Sequence, residues 1–427
     1  MGLLIILFIF LLLINMPIAF VIGISGLGYF LTNNDIPFAI SIQRVVTQTQ
    51  SYAFLAVPFF IFAGNLMNET GITKGLLSLS TVLTRKMVGG LAQVNVILST
   101  LMGGVSGSAT ADAAMEIRVL GPSMIKRGYS KGYIAAVTCL TSLITATIPP
   151  SLGLILYGFV GEVSIGKLFA AGIVPGFLMM STLMITVNLT AKKRGYDIPN
   201  PDIKAASLKE ILINLKKSVW AFIFPIILIV GIRFGLFTPS ESGAFAVVYA
   251  LFVGKFIYKE LTWTSFKNAL RHSVQDTGAV ILIISLSGIF GYALTYDKVP
   301  VKLSQLLFGI TTNPSLLLII ILLFLLVSGM FVDSNVNILL LTPIFLPMVT
   351  QLGVDPVHFG ILMMTIVTMG VMTPPVGTAL YVVCGIVECP IEDFIKDAIP
   401  FYAAVFALII ILVFFPQVVM FLPNLLF

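Results

Sequence analysis

Gly103-Gly-Val-Ser-Gly-Ser-Ala-Thr-Ala-Asp112 is a small, polar and acidic stretch set inside apolar sequence. Residues 91–102 before it are mostly apolar, and further on Thr145-Ala-Thr-Ile-Pro-Pro-Ser151 interrupts another apolar run. Hydrocarbon offers no partner to a loose N–H or C=O, so such breaks must be buried in protein or line a cavity. A carboxylate at that depth is costly, which marks Asp112 as a functional candidate. The rest of the chain reads as a scaffold that places this stretch, and a second one like it, near mid-membrane.

Composition points the same way. Of 427 residues, 58% are hydrophobic and only 10% charged, where a soluble domain carries roughly 25% charged residues. Mean hydropathy is +1.08. Apolar runs of about 17–25 residues recur, the length of a membrane-crossing helix, and the alternation of a transmembrane β-barrel does not appear. The fold class is all-α, a polytopic membrane protein. The net charge of +6 suits basic loops against anionic membrane lipid rather than nucleic acid. Cys139, Cys384 and Cys389 lie in or beside apolar spans and read as packing residues, not as a disulfide set or metal site. Residues 1–14 lack a basic n-region and a clear cleavage site and read as a membrane segment rather than a signal peptide.

Residues 1–31 form one long helix or two short spans around Asn15-Met16-Pro17. Residues 36–50 are amphipathic and suit an interfacial helix. Residues 52–68 span, with Pro58 inside, and 72–84 form a short helix ending at Arg85-Lys86. Lys and Arg mark the cytoplasmic side. Residues 87–125 lie between Arg85-Lys86 and Lys126-Arg127, so both their ends are cytoplasmic and they enter and return as a re-entrant hairpin, with its tip at Ser106 to Thr110. Residues 132–161 cross outward, broken at Pro149-Pro150, and 168–190 come back. The polar loop 191–217 carries seven Lys and Arg and is cytoplasmic. Residues 219–236 go out, 241–257 return, 261–275 form a second amphipathic segment with Trp263, and 277–296 cross outward again.

An ungapped shift of 225 then lays Gly104 on Gly329, Pro122 on Pro347, Gly128 on Gly353, Pro149-Pro150 on Pro374-Pro375 and Pro175 on Pro400. Glycine and proline punctuate backbone, so the breaks recur in place, and segment 36–50 falls on 261–275. Five spans separate the two hairpins, an odd number, so the second enters from the opposite face. Its flanks, 311–315 and 351–357, hold no Lys or Arg. Inverted repeats with two re-entrant hairpins and two discontinuous helices point to a secondary transporter with its site at the repeat interface.

The first tip offers Ser106, Ser108, Thr110 and Asp112 as oxygen ligands, and the broken span adds Thr145, Thr147, Ser151 and carbonyls freed by Pro149 and Pro150. The second half offers Asp333, Ser334, Asn335 and Asn337 at its tip, and Thr365, Thr368, Thr373 and Thr378 around its proline pair. Hard oxygens of this kind suit sodium, and half-helix N-termini attract an anion. Two cation sites flanking an anion site follow. Small hydroxyl residues also pack membrane helices without binding anything, whereas Asp112 and Asp333 are harder to explain that way. Glu116 and Arg118, on the return arm, read as a pair with each other. Glu241 reads as a helix N-terminal acid, and His272 and His358 have no metal-partner pattern.

Two rival functions fit parts of this pattern. A single-component ion or carboxylate antiporter could use the same scaffold. An intramembrane serine protease would use Gly104-Val-Ser-Gly107, but Ser106 then needs a base within hydrogen-bond reach, and the second repeat has Gly329-Met-Phe-Val332 at that place. No Gly-x-x-x-x-Gly-Lys-Ser/Thr motif supplies ATP chemistry, and no enzymatic activity is expected.

Gly103-Gly-Val-Ser-Gly-Ser-Ala-Thr-Ala-Asp-Ala-Ala-Met115 resembles the signature of the large membrane subunit of tripartite ATP-independent periplasmic (TRAP) transporters of the C4-dicarboxylate and sialic acid type. So do Val57-Pro-Phe-Phe-Ile-Phe-Ala-Gly-Asn65, Thr147-Ile-Pro-Pro-Ser151, Phe237-Thr-Pro-Ser-Glu-Ser-Gly-Ala244 and Val371-Met-Thr-Pro-Pro-Val-Gly377. The start of the chain looks like the form not fused to the small subunit. The resemblance implies a multi-pass protein of the bacterial inner membrane that imports an organic acid with sodium by an elevator movement, about two or more Na+ being expected per cycle. Its implied partners are a small four-helix membrane subunit and a periplasmic substrate-binding protein. By matching position, the first sodium site would use Ser106, Gly107, Ser108, Ala109, Thr145, Thr147 and Pro149. The second would use Gly329, Asp333, Thr368, Met372, Thr373 and Pro374. The substrate would meet Ser108, Asp112, Ser151 and Asp333. The chain divides into a scaffold with an arm helix (1–86), a hairpin with a broken helix (87–190), a cytoplasmic loop (191–217), a second scaffold and arm (218–310) and a second hairpin with a broken helix (311–427).

Overall fold

The computed structural model describes residues 1–14, 16–198 and 206–427, and every regular element among them is a helix. Pro17 splits the first apolar run, because its ring does not fit a helix interior. α1 (Gly2–Leu13) stops before it and α2 (Ile18–Thr32) starts after it. Residues 1–31 are therefore two helices, folded together so that Met1 N and Tyr29 Oη both reach Asp297, at 3.4 and 2.8 Å. Amphipathic α3 (Ala39–Thr49) leads through a 3-10 turn, Tyr52–Leu55, into α4 (Ala56–Asn68) and then α5 (Ile72–Thr84). Pro58 explains the turn: it has no N–H to bond back to Phe54, so the α-helix does not extend backwards through it.

The first hairpin is α6 (Gly90–Gly103) and α7 (Ala109–Lys126). α8 (Lys131–Thr147) and α9 (Leu152–Val160) form the broken span, bent by 46°. α10 (Ile165–Arg194) and α11 (Leu208–Arg233) follow, then α12 (Pro239–Phe252), α13 (Trp263–Tyr296) and α14 (Val299–Ile310). The second hairpin is α15 (Pro314–Phe331) and α16 (Ser334–Gln351), and the second broken helix is α17 (Pro356–Gly370) with α18 (Thr378–Val387). α19 (Ile391–Phe414) and α20 (Pro416–Leu426) close the chain.

Two expectations change. The basic loop 191–217 is largely helical at its ends. α10 runs on to Arg194, and α11 begins at Leu208 through a capping box in which Ser207 Oγ accepts from Glu210 N while Glu210 accepts from Ser207 N. Residues 199–205 of that loop lie outside the described residues. The second amphipathic segment, 261–275, is not separate from the span 277–296: both belong to α13. The shift of 225 puts Ile283 where the first repeat has Pro58, so nothing stops the helix.

The repeat recurs in packing. α4 lies on α12, and the image of that pair, α13 with α2, is also in contact; α16 on α9 is matched by α7 on α18. Ion pairs Lys74–Glu260, Arg85–Glu210, Arg127–Asp197 and Arg194–Asp397 gather at the basic ends of the helices. Such pairs at a wet surface contribute about 0–1 kcal/mol each, so they mark one face more than they hold the fold. Close helix approach does the holding. A Cβ added at Gly26 would lie 2.9 Å from Ile289 Cγ2 and 3.3 Å from Phe290 N, so α2 sits on α13 only because residue 26 has no side chain. Gly26→Leu should lower stability by about 1–3 kcal/mol through overpacking, read as a lower unfolding midpoint in detergent; an unchanged midpoint would contradict this contact.

Candidate functional site

At the first tip, Ser108 caps α7, its Oγ accepting from Ala111 N at 3.5 Å. Ser106 Oγ donates to Asp112 Oδ1 at 2.6 Å, so the tip is tied to the first turn of the returning arm. Asp112 is 1% exposed. Its second oxygen, Oδ2, is buried and has no hydrogen-bond partner among the described residues. Thr145 stands beside that carboxyl and donates its hydroxyl to the Ser99 carbonyl at 2.8 Å. One turn along α7, wholly buried Glu116 accepts from Ser99 Oγ through both oxygens, at 3.0 and 2.8 Å. The expected pairing of Glu116 with Arg118 does not form: residues two apart on a helix face different ways, and Arg118 is exposed.

Gly107, at φ +63, lies directly on the break in the first discontinuous helix: a Cβ there would run into the Pro150 carbonyl oxygen. Ala109, buried, opens α7 directly behind it. Ser151, beyond Pro149 and Pro150, caps α9 by accepting from Leu154 N at 3.4 Å. Thr147 bonds back to the Leu143 carbonyl at 3.0 Å, and its own carbonyl packs on Gly172.

The second tip repeats the backbone with other chemistry. Asp333 replaces Ser108 as the cap, its Oδ1 accepting from Asn335 N at 2.9 Å. Asn337 replaces Asp112 and ties the tip through Nδ2 to the Val332 carbonyl at 2.9 Å, while its Oδ1 accepts from Ser328 Oγ. A Cβ at Gly329 would lie 2.7 Å from the Val367 carbonyl, so this arm rests on the end of α17. Thr368, buried, has only Met364 Sδ at 3.9 Å. Thr373 bonds back to Met369 O at 2.7 Å, and Tyr402 Oη occupies the Met372 carbonyl just before Pro374.

Both tips and the first break face one cavity of about 550 Å³, lined by Ser106, Ser108, Thr110, Pro150, Asp333 and Asn335, with Asn65, Asn68 and Asp276 on the scaffold side. Of the four expected substrate contacts, Ser108 and Asp333 line it. Asp112 stands behind Ser106, and Ser151 is turned into its own helix. Neither histidine lines it; His358 bonds the Leu412 carbonyl at 2.8 Å, so no histidine serves Ser106 as a base, and the group its hydroxyl meets is the Asp112 carboxylate. Asn68 and Asp276 escaped the sequence reading. Asp276 sits at the seam between the amphipathic and apolar parts of α13, and its signal was its position, opposite Ser51 under the shift of 225. Asn65 Nδ2 donates to Asp276 Oδ2 and Ser273 Oγ, both at 3.1 Å.

The donor set suits a hard monovalent cation at the first site. An orphaned, buried carboxylate oxygen lies among Ser106, Thr145 and the glycine-rich tip, and a cation there would supply the missing partner. At the second site Thr368 has a hydroxyl without an oxygen partner, whereas the Met372 carbonyl is already engaged. Among the described residues no three His, Cys, Asp or Glu side chains converge, so hydroxyls and carbonyls would have to supply most ligands.

Comparison with known proteins places this architecture. The family described as "Tripartite ATP-independent periplasmic transporter, DctM component" matches residues 5–418. The chain is 33% identical over 406 residues to the 2,3-diketo-L-gulonate TRAP transporter large permease protein of Escherichia coli, covering 95% of each. It is 34% identical to the sialic acid TRAP transporter large permease of Vibrio cholerae, covering 97% of this chain and 96% of that one. It is also 34% identical to the isethionate TRAP transporter permease DctMQ of Oleidesulfovibrio alaskensis, a longer protein of which it spans 65%. In fold it resembles the Alcanivorax borkumensis YdaH transporter, with a TM-score of 0.65 at 15% identity, covering 96% and 97% of the two chains.

The contact between the first tip and the break can be tested at one atom. Gly107→Ala forces a side chain into left-handed backbone and against the Pro150 carbonyl. It should abolish activity of the reconstituted protein while membrane insertion persists; activity at the wild-type rate would show that tip and break do not need to meet.

Proposed function

The chain belongs to the DctM component family of tripartite ATP-independent periplasmic transporters, a multi-pass protein of the bacterial inner membrane and not an enzyme, and we propose that it imports an organic acid in symport with sodium. The observation that best supports this is the convergence of two oppositely placed hairpin tips and a proline break on one cavity, beside a buried carboxylate oxygen that lacks a partner. Two relatives are longer, the chain spanning 65% and 66% of them, which fits fusion to the small membrane subunit. A periplasmic binding protein would deliver the substrate.

In this reading Asp112, Ser106 and Thr145 hold one sodium, and the Thr368 hydroxyl with carbonyls of the second break holds another. Sodium at Asp112 cancels its charge and orders the tip that Ser106 anchors. The substrate carboxylate then lies between the N-termini of α7 and α16, where free N–H groups and the helix dipoles favour negative charge. Asp333 is compatible with an anion nearby because its own charge is turned onto the N-terminus of α16. The hairpins with α8–α10 and α17–α19 form the moving core, and α1–α5 with α11–α14 the stationary frame. Tip and frame touch through small groups, Gly64 against the Ser106 carbonyl and Gly104 against Pro225, each at 3.3 Å for an added Cβ, a surface suited to sliding.

Reconstituted with its small subunit and binding protein, the chain should take up an organic acid only under an inward sodium gradient. The acid itself would be identified by thermal-shift screening of the binding protein. Ser108→Ala and Asp333→Ala should each lower uptake about tenfold or more, the effect of losing a charge-assisted hydrogen bond of about 1.5–3 kcal/mol. Uptake indifferent to sodium would contradict the coupling. Uptake without the binding protein would favour a single-component antiporter.

A further inference from the structure

A second cavity, of about 1190 Å³, lies along the other half of α13 and is lined by Arg44, Gln48 and Ser51 from the α3 side and by Gly288, Tyr292 and Glu162. The two cavities correspond in part: the shift of 225 carries Ala63 and Ala114 of the first onto Gly288 and Leu339 of the second, and carries Ser51 of the second onto Asp276 of the first. The first cavity adjoins the basic ends of the helices, where Arg271 and the Lys74–Glu260 pair lie, and the second opens towards Tyr292 and Tyr296 at the opposite end of α13. In the transport reading above, the first is the inner vestibule, on the side of the basic helix ends that mark the cytoplasm, and the second the outer one.

Their stationary walls carry opposite charge, and the repeat makes this visible. Arg44 in the outer vestibule has buried Ala269 as its image; Ser51 there has Asp276 as its image in the inner one. Arg44 stacks its guanidinium 4.7 Å from the Tyr292 ring centroid and pairs with no carboxylate among the described residues, so its charge is free to face the cavity. Gly288 lets this happen: a Cβ there would come within 2.6 Å of Gln48 Cγ and 2.8 Å of the Arg44 carbonyl, so α3 lies flat on α13. On the inner wall Asn65 steers the Asp276 carboxylate. Among the described residues that line the outer vestibule from the core side, the one charge is Glu162, on the short turn between α9 and α10.

We propose that Arg44 is a receiving site for a carboxylate in the outer vestibule, and that Asp276 repels the same carboxylate in the inner one, so that the frame itself favours entry from outside and release inside. This rests on the transport reading above, but its test does not. Gln48→Cys and Asn68→Cys place one accessible thiol in each vestibule, the three native cysteines being buried. Reaction of the full chain with an anionic methanethiosulfonate (ethylsulfonate) and a cationic one (ethyltrimethylammonium) reads the local potential. A unit charge a few ångströms away in a wet cavity changes each rate about threefold, and hence their ratio about tenfold. The anionic-to-cationic rate ratio should exceed that of the free thiol in Gln48→Cys and fall by about that factor when Arg44→Ala is added. In Asn68→Cys it should lie below the free thiol and rise when Asp276→Asn is added. Equal ratios in the two vestibules, or ratios unmoved by the second substitutions, overturn the inference. If the asymmetry holds but no organic acid is taken up, the transport reading fails and the charge assignment stands.

Discussion

A carboxylate held inside a lipid-embedded hairpin has to be met by something. Asp112 is buried, at 1% exposure, and among the described residues only one of its oxygens finds a donor, Ser106; at the centre of a membrane helix, insertion scales set the cost of an acidic residue at about 2.5–3.5 kcal/mol. Everything around it follows from managing that group and the backbone breaks beside it. The tip folds on glycine so that it can reach the Pro150 carbonyl, Ser108 and Ser151 cap the helices that the breaks create, and Ser99 satisfies Glu116. Among the described residues five buried side-chain polar atoms lack a partner, and Asp112 Oδ2 is the only carboxylate oxygen among them, the partner that the proposed sodium would supply.

The two repeats share a backbone and differ in polar chemistry, and the proposed function rests on the differences. Hairpin arms, proline pairs and capped half-helices recur under one shift, yet Asp112 becomes Asn337 and Thr145 becomes Gly370. Asn337 can satisfy itself within its own hairpin, by donating to one backbone carbonyl and accepting from one serine. Asp112 cannot, because a carboxylate has no proton to donate. A symmetric fold thus holds an asymmetric site. The same holds on the frame, where Arg44 and Asp276 have uncharged images.

Much of the architecture was legible in the sequence because backbone breaks in a membrane are written in glycine and proline. The hairpin tips, both proline breaks and the repeat could be placed from those residues alone, and the α8–α9 bend falls where the prolines put it. A sequence says less where helix continuity rests on the lack of a breaker. The continuity of α13 through 276 rests on Ile283 standing where the first repeat has Pro58. The ends of the basic loop were hidden because a polar run looks alike as loop or as helix end. At the site, residue type gave the candidates but not their direction. Asp112 and Ser151 carry the right chemistry and are turned away from the cavity, whereas Asp276 faces it from a helix that composition assigns to the frame. Direction is set by helix packing, which one sequence does not encode locally.

The most direct measurement compares unfolding midpoints of the purified chain in sodium and potassium chloride at equal ionic strength. Sodium binding to the folded state alone should raise stability by about 2.7 kcal/mol at a hundredfold excess over its dissociation constant. The account predicts a saturable sodium-specific rise that is lost in Asp112→Asn. Equal midpoints in the two salts, or a sodium response that survives Asp112→Asn, would contradict it.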